Sequence, residues 1–322
     1  MSKKILFPLL VCLLSSAVQA NDQSNFIDKM VKEHGYDADS LRKVLQNAEK
    51  KQSILDAISR PAEKRLNWTA YRKIFLIPKR IEGGVKFYNE NKAALDEAYQ
   101  KFGVAPEIIT AIIGVETLYG QRTGGYRVLD ALSTLSFHYP PRSKFFTGEL
   151  ENFLLLCREE NMDPTQPTGS YAGAMGKPQF IPSSYRHYSY DMDNDGKRDI
   201  WNNNVDVIGS VGNYFKRHGW RRDQAVTFQA SGVTEKHNEL LDAGLKPSLT
   251  VAQVLDAGVS IDADINRAMK TNLMTFELDN GEEHWLGLHN FYVITRYNHS
   301  HMYAMAVYQL SQEIKKALQQ QS

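Results

Sequence analysis

Apolar positions recur at helical spacing over most of the chain. From Asn25 to about Phe102 the pattern consists of short amphipathic stretches rich in Lys, Glu and Ala. Breaks at Gly35, Pro61 and Gly83-Gly84 predict a series of short helices. From Val104 to about Trp220 the helical segments lengthen and become more apolar, with turn-rich stretches between them. Residues 221–290 change period. Ala225 to Gln229 and Leu273 to Leu278 read as strands, and Asp279-Asn280-Gly281 is a turn signal joining the second to His284–Leu288, which predicts a hairpin. Helical spacing returns from Met302 to Leu318, with Leu310, Ile314 and Leu318 four apart. The expected fold class is α+β, mostly α, with a small β-containing insertion.

The first 20 residues have a different pattern. Lys3 and Lys4 precede an apolar run from Ile5 to Leu14, and Ala17-Val18-Gln19-Ala20 offers small residues for cleavage. The run is shorter than the roughly 20 residues that span a bilayer, and Asn21-Asp22 breaks the pattern after it. The expectation is a cleavable export signal over 1–20 and a periplasmic mature protein. Cys12 lies inside that signal and lacks the small preceding residue of a lipidation site, leaving Cys157 in a Phe-Leu-Leu-Leu-Cys run as a small buried hydrophobe.

Composition adds an exclusion. Of 322 residues, 42% are hydrophobic and 23% charged, as in an ordinary globular protein. The formal net charge is +1, and loss of Lys3 and Lys4 makes it −1. No field draws the chain to nucleic acid or anionic lipid. Aromatics at 11% suit stacking on sugars as well as core packing.

The candidate chemistry begins in the segment Gly103–Gly120. Pro106 fits the first helical turn, Glu107 favours the positive helix start, and Gly120 supplies the expected stop. Ile109, Ile112, Ile113 and Glu116 share one face of this helix. Glu116 is thus an acid on the buried stripe and in the last turn, where desolvation and the negative helix end both favour its protonated form. A protonated glutamate near neutral pH is a general acid. The alternative is a helix-end glutamate that reaches out to water or pairs with an arginine such as Arg122 or Arg127. The second segment, Gly169–Tyr185, is rich in glycine, which lets the backbone approach a ligand. It mixes hydrogen-bonding groups (Ser170, Gln179) with apolar ones (Met175, Phe180), a combination that suits a sugar's hydroxyl edge and apolar face.

GVETLYG at 114–120 and SYAGAMGKPQFIPSSY at 170–185 resemble the lytic transglycosylase B family, peptidoglycan-cleaving enzymes with a lysozyme-like core. RPAEKRLNWTAYRKIF (60–75) and RYNHSHMYAMAV (296–307) extend the resemblance over essentially the mature chain. It implies that Glu116 is the single catalytic acid and base. It also implies that Ser170, Gln179, Tyr297, Asn298 and Tyr303 line a glycan cleft, with Met175 and Phe180 as its apolar wall. The implied organisation is a helical domain over 21–102, a lysozyme-like core over 103–220, a small β-containing domain over 221–290, and a return to the core over 291–322.

A further cluster begins at Asp191. Asp191, Asp193 and Asp195 with Gly196 match positions 1, 3, 5 and 6 of a calcium loop, and Lys197 would offer its backbone carbonyl. Position 12 is Asn202 instead of the usual glutamate, and Asp199 could act directly or through water. The expected cofactor is one structural calcium, bound more weakly than in a complete loop and bracing the cleft wall. The resembling family carries such a site in this region.

The expected reaction cleaves the β-1,4 bond between N-acetylmuramic acid and N-acetylglucosamine and forms a 1,6-anhydro sugar. Two rivals remain: a hydrolytic muramidase using a second acid such as Asp130, and a non-catalytic peptidoglycan-binding scaffold. The expected partners are peptidoglycan glycan strands and other cell-wall enzymes, with no nucleic acid. Nothing suggests an obligate interface, so a monomer is expected.

Overall fold

The computed structural model describes residues 9–59, 66–241 and 244–321, with side chains from Asp22 onward. The chain forms two compact units, Met1–Pro61 with Thr123–His187, and Ala62–Arg122 with Tyr188–Ser322. Helices α1 (Leu9–His34), α2 (Ala38–Gln46) and α3 (Gln52–Ser59) belong to the first unit. Next come α4 (Trp68–Phe75), α5 (Pro78–Glu90), α6 (Lys92–Phe102) and α7 (Pro106–Thr117) of the second. The chain returns to the first unit for β1 (Tyr126–Arg127), α8 (Val128–His138), α9 (Ser143–Glu159), β2 (Thr168–Gly169) and α10 (Pro182–Tyr188). The second unit resumes with α11 (Asn204–Arg217), β3 (Thr227–Ser231), α12 (Asn238–Leu241), β4 (Leu249–Thr250) and α13 (Val251–Asp256). It ends with β5 (Ser260–Ile261), β6 (Lys270–Glu277), β7 (Glu282–Gly287), α14 (His289–Thr295) and α15 (His301–Gln319).

These units cut across the expected domain boundaries. Segment 21–102 is divided: α1–α3 go with α8 and α9, whereas α4–α6 go with α7, α11 and α15. The expected boundary after Phe102 falls on a tight turn. Gly103 takes a left-handed conformation (φ 76°), and its N–H caps α6 on Tyr99 O, so α7 follows without a linker. The boundaries near 220 and 290 also fall inside the second unit. Of the expected export signal over 1–20, residues 1–8 lie outside the described residues. Helix α1 runs on through Asn21-Asp22, where the sequence suggested a break, and Phe26, Ile27 and Met30 anchor it in the first unit's core.

In the first unit, α8 and α9 bury Leu129, Leu132, Leu135, Leu150 and Phe153. Cys157 packs with them, and burial pushes its thiol up to about 12, leaving it unreactive. In the second unit α7 is surrounded by α5, α6, α11 and α15, and Ile109, Ile112 and Ile113 have no solvent exposure. The five-stranded antiparallel sheet has the order β4-β6-β7-β3-β5. Its central hairpin closes as the turn residues predict, with Glu277 opposite Glu282 and Leu278 N–H donating to Gly281 O. Strand β3 starts at Thr227, two residues later than expected, because its ladder with β7 begins at Thr227↔Gly287.

Close helix packing sets a stability test. A Cβ at Gly84 of α5 would sit 2.5 Å from Ile314 Cδ1 and 2.6 Å from the Tyr119 hydroxyl. Gly84→Ala is therefore expected to destabilise the fold by about 1–3 kcal/mol, read as a lower urea midpoint with an unchanged slope.

Candidate active site

Helix α7 starts as its residues dictate, with Pro106 in the first turn and Glu107 beside it. Its end differs from expectation. The stop comes before Gly120: Leu118 and Tyr119 already have φ of 51° and 59°, and their N–H groups bond Gly114 O and Ile113 O. Two successive non-glycine residues in this region store strain, which packing must offset. Tyr119 supplies that packing, since its hydroxyl donates to Arg80 O at 2.7 Å. Its ring fills the space where side chains at Gly83, Gly84 and Gly114 would be. Buried Arg80 in turn donates from Nε to Gly114 O near the C-terminal end of α7.

Glu116 follows Ile112 and Ile113 on the buried stripe and is only partly accessible. Desolvation raises its pKa from 4.5 to about 7, against the pull of one hydrogen bond. That bond comes from Tyr303, whose hydroxyl donates to Glu116 Oε1 at 2.5 Å. Among the described residues no cation pairs with Glu116, so the Arg122 and Arg127 alternative fails. Tyr303, 3% exposed, stands in the first turn of α15, which Ser300 caps. Tyr297 stacks on Tyr303 with ring centres 6.5 Å apart and planes 12° apart, and Tyr214 tilts against Tyr297 at 4.7 Å. Desolvation and then the Glu116 charge hold the Tyr297 and Tyr303 phenols well above their usual range. Asn298 is exposed on the adjoining turn.

Tyr71 of α4 was missed in the sequence reading. Its phenol is raised by burial and then by the Glu116 charge, which places it within electrostatic reach of that carboxyl. Its sequence signal was its position in the RPAEKRLNWTAYRKIF segment (60–75).

The Ser170–Phe180 segment belongs to the first unit. Ser170 Oγ accepts the N–H groups of Ala172 and Ala174, and its hydroxyl proton is left to donate. Gln179 (φ 53°) donates its amide to Thr123 O and Gly176 O, which leaves Oε1 as an acceptor. Met175 and Phe180 pair through both backbone bonds and are 0% and 2% exposed. As placed here they support the loop from beneath and do not form an open apolar wall. The glycines also have an internal reason. A Cβ at Gly169 would lie 2.2 Å from Ala174 O, and one at Gly124 would lie 2.1 Å from Gly169 O. Backbone meets backbone there, without a ligand.

Asp130, the second acid of the hydrolytic rival, is locked in place. It is 2% exposed, takes two bonds from the Arg127 guanidinium and accepts the Glu49 N–H.

The aspartate loop curls through left-handed Asn194 and Gly196, and gathers carboxylate oxygens of Asp191, Asp193, Asp195 and Asp206 within 4.8 Å of one another. Asp206, in the first turn of α11, was not foreseen. It is buried, accepts the N–H groups of Met192 and Asp199, and is pushed up to about 6 by desolvation and by the neighbouring aspartates. Asn202 is exposed with its amide turned to Asp199, and Lys197 is exposed with its N–H on Asp195. Four hard oxygen donors around one point fit a calcium ion.

A buried helix that carries a near-neutral carboxylic acid beneath stacked tyrosines is equipped for general acid–base catalysis, and the comparisons with known proteins place it in a lysozyme-like enzyme acting on a glycan. Residues 19–312 match the family model described as Transglycosylase SLT domain. The chain is 44% identical over 301 residues to the membrane-bound lytic murein transglycosylase B of Escherichia coli, covering 91% of this chain and 82% of that protein. Soluble lytic transglycosylase SltB1 of Pseudomonas aeruginosa is 48% identical with a TM-score of 0.88, over 91% of this chain and 98% of its own. The E. coli lytic transglycosylase Slt35, solved in complex with calcium, is 44% identical with a TM-score of 0.85, over 92% and 93%. The chain belongs to the transglycosylase SLT family, and it is a lytic transglycosylase that acts on peptidoglycan.

Two outcomes follow for Glu116. Its folded-state value lies above 4.5, so its contribution to stability is complete below pH 4.5 and falls as the pH rises through 7. Glu116→Gln should therefore melt higher than wild type above pH 7, by an amount on the order of 3 kcal/mol, with the gap closing below pH 4.5. Tyr303→Phe removes the bond that lowers the Glu116 pKa. The alkaline limb of its kcat profile should move to higher pH, with kcat reduced about 10-fold or more.

Proposed function

We propose that Glu116 carries the whole of the acid–base chemistry. Protonated, it delivers its proton to the glycosidic oxygen as the bond from C1 of N-acetylmuramic acid to that oxygen breaks. The 2-acetamido group or the tight pocket stabilises the cationic C1. Glu116, now a carboxylate, takes the proton of the same sugar's C6 hydroxyl as that oxygen bonds to C1. The glutamate ends as it began, and no water is consumed. The observation that carries this reading is a carboxyl at about 7 with a neutral tyrosine donor and, among the described residues, no paired cation. Such a group is populated in both of the forms it must adopt. Hydrolysis by the two-carboxylate route needs a second acid across the bond, and the candidate Asp130 is engaged by Arg127.

Ser170, Gln179, Tyr297 and Asn298 are assigned to the glycan, through the Ser170 hydroxyl, Gln179 Oε1, the Tyr297 ring and the exposed Asn298 amide. Met175 and Phe180 act one layer behind, by holding the loop. Tyr303 orients Glu116 as well as closing the site. Asp191, Asp193, Asp195 and the Lys197 carbonyl are assigned to calcium, and Asp206 suits the closing carboxylate better than Asn202. The calcium complex of Slt35 supports that assignment. Bound calcium would supply charge neutralisation that stiffens the loop. Residues 1–20 are read as the export signal that delivers the enzyme to murein in the periplasm. Among the described residues no helix is long and apolar enough to cross a membrane.

Digestion of purified peptidoglycan should release fragments ending in 1,6-anhydromuramic acid, one water lighter than hydrolytic products and inert to borohydride. Mass spectrometry of borohydride-treated digests reads both properties. A majority of reducible ends carrying the mass of the added water would make the enzyme a muramidase. Calcium should raise the melting temperature by mass action on the native loop, and Asp191→Ala should abolish that rise while lysis continues. A melting curve indifferent to calcium and to chelator would remove the metal assignment.

A further inference from the structure

The second unit contains a groove of about 560 Å³ that the reaction does not use, within the size range of small-molecule sites. It opens at the N-terminal end of α7, beside Glu107. Glu116 lies nine residues further along the same helix, about 13 Å away at 1.5 Å per residue. One wall is aromatic. Trp220 already donates its indole N–H to Gly103 O, so what it offers the groove is apolar ring. Tyr308 of α15 and Phe228 of β3 add ring surface. Exposed Gln224 and Gln312 bring carboxamides, and Glu107 bonds Lys315 Nζ at 3.0 Å on the rim. Beyond that ion pair a second hollow of about 490 Å³ shares Glu107 and Lys315. The two hollows therefore adjoin.

We propose that this groove is a second, non-catalytic binding site for the N-acetylamino-sugar strand of peptidoglycan. Ring faces suit the apolar faces of pyranoses. Carboxamides and a fixed acid–amine pair suit hydroxyls and acetamido groups, which both donate and accept. Lys315 has two further N–H donors, for a muramyl carboxylate where the peptide stem has been removed and for hydroxyl or acetamido oxygens where it has not. Two adjoining hollows fit an extended strand better than one compact ligand. Holding the strand here keeps the enzyme on an insoluble substrate between cleavage events. The inference rests on peptidoglycan being the substrate, and not on which residue is the catalytic acid.

The test compares Glu116→Gln enzyme with the same protein carrying Lys315→Glu or Gln312→Ala, using glycan strands freed of peptide stems as the probe. Lys315 and Gln312 are exposed, but the Lys315 partner Glu107 keeps only 15% of its side-chain surface, so Lys315→Glu is expected to melt slightly lower and binding is compared at a temperature where every variant is folded. Loss of one charged hydrogen bond predicts about tenfold weaker strand binding for Lys315→Glu, and a smaller loss for Gln312→Ala. With Glu116 intact, Lys315→Glu should slow digestion of whole sacculi and leave turnover of a short soluble fragment unchanged. Unchanged strand affinity in both variants overturns the proposal. So does a loss seen only with free stem peptides, which would make the groove a peptide site. A wrong catalytic assignment shows separately, as lysis by the Glu116→Gln parent.

Discussion

Removing the Glu116 carboxyl from water is the constraint on which the second unit depends. An ionised carboxylate on an apolar helix face, at the negative end of that helix, is disfavoured twice. Among the described residues no cation relieves it. A single phenol donates to it, pulling its pKa down only in part. The balance leaves the group near neutrality, where it can give a proton and recover one. The stacked rings of Tyr297 and Tyr214 hold that phenol in place.

The surrounding packing serves the same end. Three glycines on α5 and α7 clear the volume that Tyr119 fills, and Tyr119 secures the left-handed exit from α7 directly after the catalytic turn. In the first unit, Gly124 and Gly169 let two backbone segments meet, and the amide of Gln179 fixes the loop that carries its remaining acceptor. Both units thus use the absence of a side chain to place a polar one.

Much of this was legible along the chain. The isoleucines at 109, 112 and 113 mark the face on which Glu116 falls, because helical period alone determines it. The hairpin at Asp279–Gly281 was legible for the same reason, since turn chemistry is local. The aspartates at 191, 193 and 195 stand close enough to be read as one cluster. What was hidden is long-range. Asp206 joins that cluster from the next helix, outside any twelve-residue loop pattern. Tyr303 reaches Glu116 across 187 positions, and Tyr71 approaches it from α4. The resemblance placed Tyr303 at the cleft, but not its bond to the acid. The interleaving of the two units was hidden as well. Its boundaries fall at 61, 122 and 187; Pro61 reads as one helix break among several, whereas the visible shifts near 102 and 220 are turns inside one unit.

The state of the Glu116 carboxyl can be measured directly. Carbon-13 labelling of glutamate side chains, with Glu116→Gln to assign the resonance, gives its titration in the folded enzyme. A midpoint near 7 that rises in Tyr303→Phe is the expected result. A midpoint near 4.5, unmoved by loss of the tyrosine hydroxyl, would contradict a single buried acid that serves in both halves of the reaction.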